Sequence, residues 1–257
     1  MPVDAWDPAL YARFAAERAQ PFFDLLALVE PAPELRVADL GCGTGELTAR
    51  LHGALAAART VGVDRSPAMR AGAGELAGVE LVAGDLADWA PDGPLDLVFS
   101  NAALHWVDDH PALLARLAGW LAPGGQLAVQ VPANHAHPSQ TVALEVAAEA
   151  PFAEALGGWV RRSPVLDERA YAERLEALGF AEQHVAARIY RHHLPDRRAV
   201  VDWVRGTTLT VYRERLPAEL AARFEAVYAE RLLERLEDAT PYPFFFRRIL
   251  IWGRLPG

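Results

Sequence analysis

Short apolar runs alternate with helix-like stretches over the first half of the chain. Between the apolar runs lie segments whose apolar residues recur at helical spacing. One of them predicts a helix that extends to Leu121 and is ended by "PGG" (123–125), with an apolar face of Leu113, Leu114, Leu117, Trp120 and Leu121. Strand alternating with helix predicts βαβ units, and hence an α/β protein with a parallel sheet. The runs are β-branched or continuously apolar, as expected of strands buried on both faces, and span 35–40, 60–64, 79–85, 95–101 and 126–132.

The pattern changes after Pro132. Residues 134–165 have no regular period and are predicted to be irregular. The first thirty residues predict one or two helices bent near Pro21. No Ser/Gly-rich linker or repeat divides the chain, which favours one α/β domain with helical additions. Beyond residue 165 we expect a helix over 167–180, a strand over 181–194, helices over 197–206 and 217–237, and a strand over 244–255.

Length, composition and charge exclude several classes of protein and partner. A chain of 257 residues with 52% hydrophobic content can bury a sizeable core. No apolar run reaches 18 residues and no signal-peptide pattern precedes the first helix, so a soluble, cytoplasmic protein is expected. Cys42 is the only cysteine, which excludes an intrachain disulfide. A net charge of −9 argues against nucleic acid or an anionic membrane as partner.

Three glycines at alternate positions, Gly41, Gly43 and Gly45, follow the first predicted strand. This spacing lets the backbone pass close to a ligand, although a ligand-free turn remains an alternative. A dinucleotide site would need G-x-G-x-x-G, but Glu46 puts the third glycine out of register and would repel a diphosphate. A P-loop needs a lysine, and every basic residue of this chain is arginine or histidine. Both phosphate sites are therefore disfavoured.

Acidic residues stand at the ends of the first three strands. Asp64 can accept from two ribose hydroxyls, and Asp85 from an exocyclic amine such as adenine N6. Asp39, beside the glycines, suits an ammonium group. Since the carboxyl ends of parallel strands share one edge of a sheet, the three carboxylates indicate a cationic ligand with a ribose and no phosphate.

The stretch "DLGCGTG" (39–45), with Asp64 and Asp85, resembles the class I S-adenosylmethionine-dependent methyltransferases. The resemblance implies a Rossmann-like, mostly parallel seven-stranded sheet in the order 3-2-1-4-5-7-6, with the last strand antiparallel. It implies S-adenosyl-L-methionine as cofactor and S-adenosyl-L-homocysteine as product. The cofactor-binding residues implied are Asp39, Gly41, Cys42, Gly43, Gly45, Asp64, Arg65, Met69, Asp85, Leu86 and Asn101.

The same resemblance implies how the chain is divided. Residues 1–34 are expected to form a helical lid, and 133–165 with 195–243 a helical cap over the acceptor pocket. The methyltransferase core is then expected to comprise 35–132, 166–194 and 244–257.

Further stretches, "WDPALYARFAAERAQP", "SNAALHWVDDH", "VQVPANH" and "DWVRGTTL", closely resemble the trans-aconitate 2-methyltransferase family. That similarity implies methyl transfer to a carboxylate of a small polycarboxylic acid, giving a monomethyl ester. A carboxylate is already ionised at neutral pH, so the reaction needs desolvation and alignment rather than a base.

A polyanionic acceptor needs arginines for its remaining carboxylates. Thr210 and Gln20 stand where the family usually has arginine, so a less charged acceptor is an alternative. The predicted substrate-binding residues are Tyr11, Phe14, Arg18, Arg213 and Arg247. Further candidate arginines are Arg13, Arg161, Arg162, Arg205 and Arg215.

His105 and Trp106 follow the fourth strand, where donor and acceptor should meet. His105 is a candidate general base, which would suit a hydroxyl, amine or carbon acceptor of a natural-product type. Alternatively, His105 and Trp106 pack the next helix and line the pocket. A third hypothesis is a non-catalytic, cofactor-binding regulatory module. The pairs in "HAH" (135–137) and "RHH" (191–193) lack a completing carboxylate or cysteine, so no metal site is predicted.

Overall fold

The sheet has the strand order expected from the family resemblance, β3-β2-β1-β4-β5-β7-β6, which confirms the predicted fold class. The structure, a computed structural model, describes residues 15–72, 74 and 76–257, with side chains from residue 19 onward. The strands are β1 (Arg36–Leu40), β2 (Arg59–Asp64), β3 (Val79–Ala83), β4 (Leu95–Asn101), β5 (Leu121–Pro132), β6 (Glu182–Leu194) and β7 (Tyr242–Arg254).

Strands β1 to β5 run parallel to one another where they pair, and β7 runs antiparallel to β5. In the register, Asp39 of β1 lies beside Gly62 of β2, and Asn101 of β4 lies beside Gln130 of β5. The carboxyl ends of β1 to β4 therefore meet at one edge of the sheet, which is where ligands bind in folds of this class.

Helices fill most of the connections between these strands. The first, α1, runs continuously through Pro21. A 3-10 turn covers Leu104–Trp106. The α-helices are α1 (Ala15–Leu26), α2 (Glu46–Leu55), α3 (Pro67–Ala71), α4 (His110–Ala118), α5 (Pro138–Ala147), α6 (Phe152–Ala155), α7 (Glu168–Ala177), α8 (Arg198–Arg205), α9 (Thr210–Arg213) and α10 (Ala218–Arg235).

The expectation that residues 134–165 are irregular is wrong, because α5 and α6 lie there. His137 caps α5 by accepting a hydrogen bond from the backbone N–H of Ser139, and Pro138 occupies the first turn. Val142 and Val146 are fully buried on the inner face of α5. Pro138 at the first helical position is a local signal for the start of this helix, and a search for apolar periodicity does not detect it.

The boundary between α4 and β5 also differs from expectation. The apolar pattern extended the helix to Leu121, whereas α4 ends at Ala118 and β5 already begins at Leu121. The register of β5 against β4 shifts between Leu95 and Leu97. The extra residues of β5 are accommodated at this irregularity, which a local sequence pattern does not reveal.

The chain divides into two compact units. The sheet unit comprises residues 18–133, 164–188 and 247–257. Within it Ala38 and Leu40 pack into one apolar cluster, whereas Val37 packs into another. Side chains alternate between the two faces of a strand, so both faces of the sheet are covered.

The helical unit comprises, among the described residues, 15–17, 134–163 and 189–246. It has an apolar core of its own, which includes Phe224, Tyr228 and Phe244. The buried hydroxyl of Tyr228 on α10 donates to the carbonyl of Ser139 on α5 at 2.9 Å. This unit is thus held together by its own packing and hydrogen bonding.

No helix in the described part of the chain is long and apolar enough to cross a membrane.

We expect Gly41→Ala to destabilise the protein by about 2 kcal/mol or more. Gly41 has φ +79°, and an added Cβ would lie 2.1 Å from the Cβ of Ala103. Gly53→Ala is the matched control, because Gly53 lies inside α2 with nothing within 4 Å of an added Cβ. The control should stabilise the helix by a few tenths to about 1 kcal/mol. Urea unfolding of both variants measures the difference, and equal stabilities would contradict the close approach at Gly41.

Candidate cofactor and acceptor site

The glycine turn between β1 and α2 is fixed to the neighbouring strand β2. The backbone N–H groups of Gly41 and Cys42 both donate to the carbonyl of Val63, at 2.8 and 3.1 Å. The N–H of Gly43 donates to Oδ2 of Asp64 at 2.9 Å. The turn is therefore held in a defined shape before any ligand binds.

The turn is crowded at Gly41 and open at Gly43. A Cβ added at Gly43, whose φ is +59°, would meet no atom within 4 Å. At Gly45, by contrast, an added Cβ would lie 2.6 Å from Leu76. The open side of the turn is thus at its centre, where a ligand can approach the backbone closely.

Asp64, at the end of β2, supports the turn as well as facing the predicted ribose site. Its Oδ2 accepts from Gly43, and its Oδ1 accepts from the N–H of Ser66 at 2.8 Å. A carboxylate oxygen can accept a second hydrogen bond, so both oxygens keep capacity for hydroxyl donors. The sequence pattern does not indicate the bond to Gly43, because it joins residues 21 positions apart.

Asp85 lies just beyond β3. Its Oδ1 accepts from the N–H of Ala87 at 2.9 Å, and the exposed Arg65 guanidinium lies 3.7 Å from its Oδ2. The carbonyls of Leu86 and Ala87 both accept from the guanidinium of Arg116 on α4. Arg116 thereby fixes the backbone beside the predicted adenine site, a function that its position in an amphipathic helix did not indicate.

Asp39 is buried beneath the glycine turn. Its side chain is 3% exposed, and Oδ2 accepts from Oγ1 of Thr48 at 2.5 Å. Burial raises the pKa of this carboxyl to about 7, the nearby Asp64 carboxylate adds to the rise, and the Thr48 hydrogen bond opposes it. A cation bound close to Asp39 would favour the ionised form.

Asn101, at the end of β4, carries a buried amide oxygen with no hydrogen-bond partner among the described residues. The neighbouring Ser100 hydroxyl, by contrast, donates to the carbonyl of Leu40 at 2.8 Å. Buried acceptors without partners are uncommon in native structures, and such an oxygen suits an ammonium or N–H donor on a ligand.

Cys42 and Met69 complete the predicted set around the turn. Burial raises the pKa of the Cys42 thiol, and the carboxylates of Asp39 and Asp64 raise it further. The thiol therefore stays neutral and is a poor nucleophile. Met69 is buried on α3, whose N-terminus Ser66 caps by accepting from the Met69 N–H at 3.2 Å.

His105 and Trp106 lie in the 3-10 turn after β4, with their ring centroids 4.8 Å apart. Leu104, the first residue of the turn, is buried, and Ala103 just before it is the close neighbour of Gly41. The turn thus packs against the glycine turn. A base function for His105 stays a prediction.

The predicted acceptor-binding residues fall into two groups. Arg213 donates to Glu225 at 2.5 and 3.0 Å, and Arg247 pairs with Glu168. Both guanidiniums therefore already have carboxylate partners. Tyr11 and Phe14, together with the side chain of Arg18, lie outside the residues and side chains that the structure describes. Acceptor binding by these residues stays a prediction.

In the part of the chain that the structure describes, no group of three or more His, Cys, Asp or Glu side chains is placed to hold a metal ion.

The site fits the class of ligand that the sequence indicated. The open backbone at Gly43, the unpartnered oxygen of Asn101 and the carboxylates of Asp39, Asp64 and Asp85 all belong to the sheet unit. They lie at or just beyond the carboxyl ends of β1 to β4. Donor groups and positive charge on a ligand would satisfy this set, whereas a phosphate would be repelled.

Comparison with known proteins agrees with this chemistry. Residues 11–185 match the family model described as a methyltransferase domain. The trans-aconitate 2-methyltransferase of Deinococcus radiodurans is 41% identical, over 98% of this chain and 98% of its own length. That of Variovorax paradoxus is 43% identical, over 97% of this chain and 96% of its own.

A solved structure gives the same fold. Haemonchus contortus phosphoethanolamine N-methyltransferase 2, in complex with S-adenosyl-L-methionine, superposes with a TM-score of 0.53 at 16% identity. The match covers 93% of this chain and 53% of that one. Since the family model spans more than half of the sequence and the two relatives exceed 40% identity over nearly all of it, the chain belongs to the methyltransferase family that includes the trans-aconitate 2-methyltransferases.

Proposed function

We propose that the protein is an S-adenosylmethionine-dependent O-methyltransferase that esterifies one carboxylate of a small polycarboxylic acid such as trans-aconitate. The observation that carries the proposal is the acid-rich, open glycine turn in a chain related over nearly its full length to trans-aconitate 2-methyltransferases. When bound, S-adenosylmethionine supplies an electrophilic methyl group on a sulfonium.

The residues of the turn divide the binding of this cofactor among them. Asp64 would accept from the ribose hydroxyls while keeping its bond to Gly43, and Asp85 would accept from the adenine amine. Asp39 and the amide oxygen of Asn101 would accept from the ammonium group of a bound cofactor, and Asp39 would partly balance its positive charge. The backbone at Gly43 allows the close approach that a side chain would prevent.

The acceptor chemistry requires alignment rather than proton transfer. A carboxylate of the acceptor is ionised at pH 7, so it would need no general base to take the methyl group from a bound cofactor, which would leave as S-adenosylhomocysteine. The protein accelerates such a step by holding the carboxylate in place and removing its hydration shell. His105 and Trp106 then serve as walls that exclude water.

Methyl transfer can be measured directly with S-adenosylmethionine labelled in its methyl group and a panel of di- and tricarboxylic acids. We expect label in an alkali-labile ester of a polycarboxylic acid. Asp64→Ala is the loss-of-cofactor control, and should abolish both labelling and cofactor binding. Labelling of hydroxylated aromatics in place of every acid would overturn the carboxylate assignment and favour the other acceptor class.

The variant His105→Ala distinguishes a side chain that lines the acceptor pocket from one that acts as a general base. Because a carboxylate acceptor loses no proton, we expect kcat to fall by no more than about tenfold and the pH–rate profile above pH 6 to keep its shape. Steady-state kinetics with the acid found in the labelling experiment gives both quantities. A loss of several orders of magnitude, with the histidine limb missing from the profile, would instead assign His105 as the base.

Cofactor affinity should depend on pH through Asp39. With a pKa of about 7 for this carboxyl in the ligand-free protein, a cationic ligand releases a proton on binding below pH 7. Affinity should therefore weaken as the pH falls from 8 to 6. Calorimetry in buffers of different ionisation enthalpy measures the proton release. The Asp39→Asn variant should bind the cofactor more weakly and without this proton release.

Asp39→Asn also tests whether ionisation of the Asp39 carboxyl lowers or raises the stability of the folded protein. The folded-state pKa of Asp39 lies above its unfolded value of 3.8, so the folded protein binds this proton more tightly. Stability should fall as pH rises between about 4 and 7, by about 1.4 kcal/mol per unit of pKa difference, and then level off. Asp39→Asn should accordingly melt higher than the wild type at pH 8 without ligand. A lower melting temperature would mean that the ionised carboxylate stabilises the fold.

A further inference from the structure

Arg161 is a partly buried cation that has no carboxylate partner among the described residues. It lies in the helical unit, between α6 and α7 in the chain. Its Nη1 donates to Oε1 of Gln140 at 3.0 Å, and none of the described carboxylates lies within ion-pair distance of it. A guanidinium has five N–H donors, so most of its capacity is unused by this amide.

Other partly buried arginines of the helical unit are neutralised. Arg197 pairs with Asp238 at 3.0 Å, and Arg205 pairs with Asp202 at 2.8 Å. Arg231 pairs with both oxygens of Glu149, at 2.6 and 2.7 Å. Withdrawing a charge from water without an opposite charge nearby is unfavourable. Arg161 lacks the carboxylate that each of these three arginines has among the described residues, so a bound anion would stabilise it.

Gln140, which accepts the hydrogen bond from Arg161, is itself hydrogen-bonded to Thr208. Oγ1 of Thr208 accepts from the amide nitrogen of Gln140 at 2.9 Å and also contacts its Oε1 at 3.2 Å, so Thr208 restrains the amide that Arg161 contacts. Thr208 is buried, at 4% exposure. The guanidinium is thus positioned before a ligand binds, which reduces the ordering cost of binding.

A second polar group near Arg161 is also unsatisfied. The hydroxyl of Tyr212 is buried and has no hydrogen-bond partner among the described residues. Its ring is fixed by stacking on Phe224, with centroids 4.6 Å apart, and by the edge of Trp159 at 5.7 Å. Burial raises the pKa of the phenol, while the Arg161 cation opposes this rise, so Tyr212 is a neutral O–H donor beside a cation.

We propose that Arg161, positioned by Gln140 and accompanied by the hydroxyl of Tyr212, binds a carboxylate of a small organic acid. A carboxylate accepts two hydrogen bonds from a guanidinium and can take another from a phenol, which would satisfy both groups. The identity of that acid as the methyl acceptor rests on the function proposed above, whereas the anion site itself rests on Arg161 and Tyr212.

The test measures binding of tricarballylate and trans-aconitate by calorimetry, with the protein saturated by S-adenosylhomocysteine. Arg161→Gln removes the charge and should weaken the binding of both acids by about 10- to 100-fold. Arg223→Gln is the matched control, because Arg223 is an exposed arginine of the same unit, and should change affinity less than twofold. Both variants should bind S-adenosylhomocysteine like the wild type, which shows that they are folded.

Thermal stability separates a binding arginine from a structural one. Arg161→Met should leave the melting temperature of the ligand-free protein unchanged or raise it, because it removes an uncompensated charge. Tyr212→Phe keeps the ring packing, and should weaken the binding of tricarballylate several-fold without lowering the melting temperature. A structural arginine would give the opposite result, with lower melting temperatures and unchanged acid binding.

The outcomes for the two proposals are distinct. Equal affinity of the wild type and Arg161→Gln for both acids, or no acid binding by the wild type, would overturn the anion site. Acid binding that requires Arg161, without methyl transfer to any acid, would support the anion site and overturn the proposed function. Methyl transfer to an acid at the same rate in the wild type and Arg161→Gln would support the proposed function and show that other residues bind the acceptor's carboxylate.

Discussion

The site depends on one hydrogen bond, from the backbone N–H of Gly43 to the carboxylate of Asp64. β1 and β2 are parallel neighbours, so their carboxyl ends arrive together and this bond can form. It holds open the centre of the turn and orients the carboxylate that we propose as the ribose acceptor. The crowded Gly41 and the buried Asp39 then follow from how tightly the turn packs against the sheet.

The two units differ in the charge that they offer a ligand. In the sheet unit, buried or partly buried carboxylates surround an open stretch of backbone, which suits a cationic nucleoside. In the helical unit, a guanidinium held by an amide has no carboxylate partner among the described residues, which suits an anion. A sulfonium methyl donor and a carboxylate acceptor have these same opposite charges, so each unit matches one of the two reactants proposed.

The five strands of the first half of the chain and the residues at their carboxyl ends could be predicted from the sequence because their signals are local, whereas the strand order came only from the family resemblance. The apolar runs, the alternate glycines and the acids at the ends of the first three strands each occupy a few adjacent residues. The apolar periodicity missed helix α5, in a stretch where the resemblance implied a helical cap, because its signal is a proline at its first position and not a long apolar period. The early start of β5 was missed because it depends on pairing with β4 and on the register shift near Leu95.

The sequence by itself determined which residues stand at the carboxyl ends of the strands, since chain direction and strand length place them there. It did not determine which arginine is available to an anion. Arg161 and Arg213 each follow a pair of apolar or aromatic residues and precede a charged residue, so their sequence neighbours do not distinguish them. In the fold, Arg213 meets Glu225, while Arg161 meets the amide of Gln140. Only the tertiary structure decides this, because neutralisation of a charge depends on side chains that are distant along the chain and close in space.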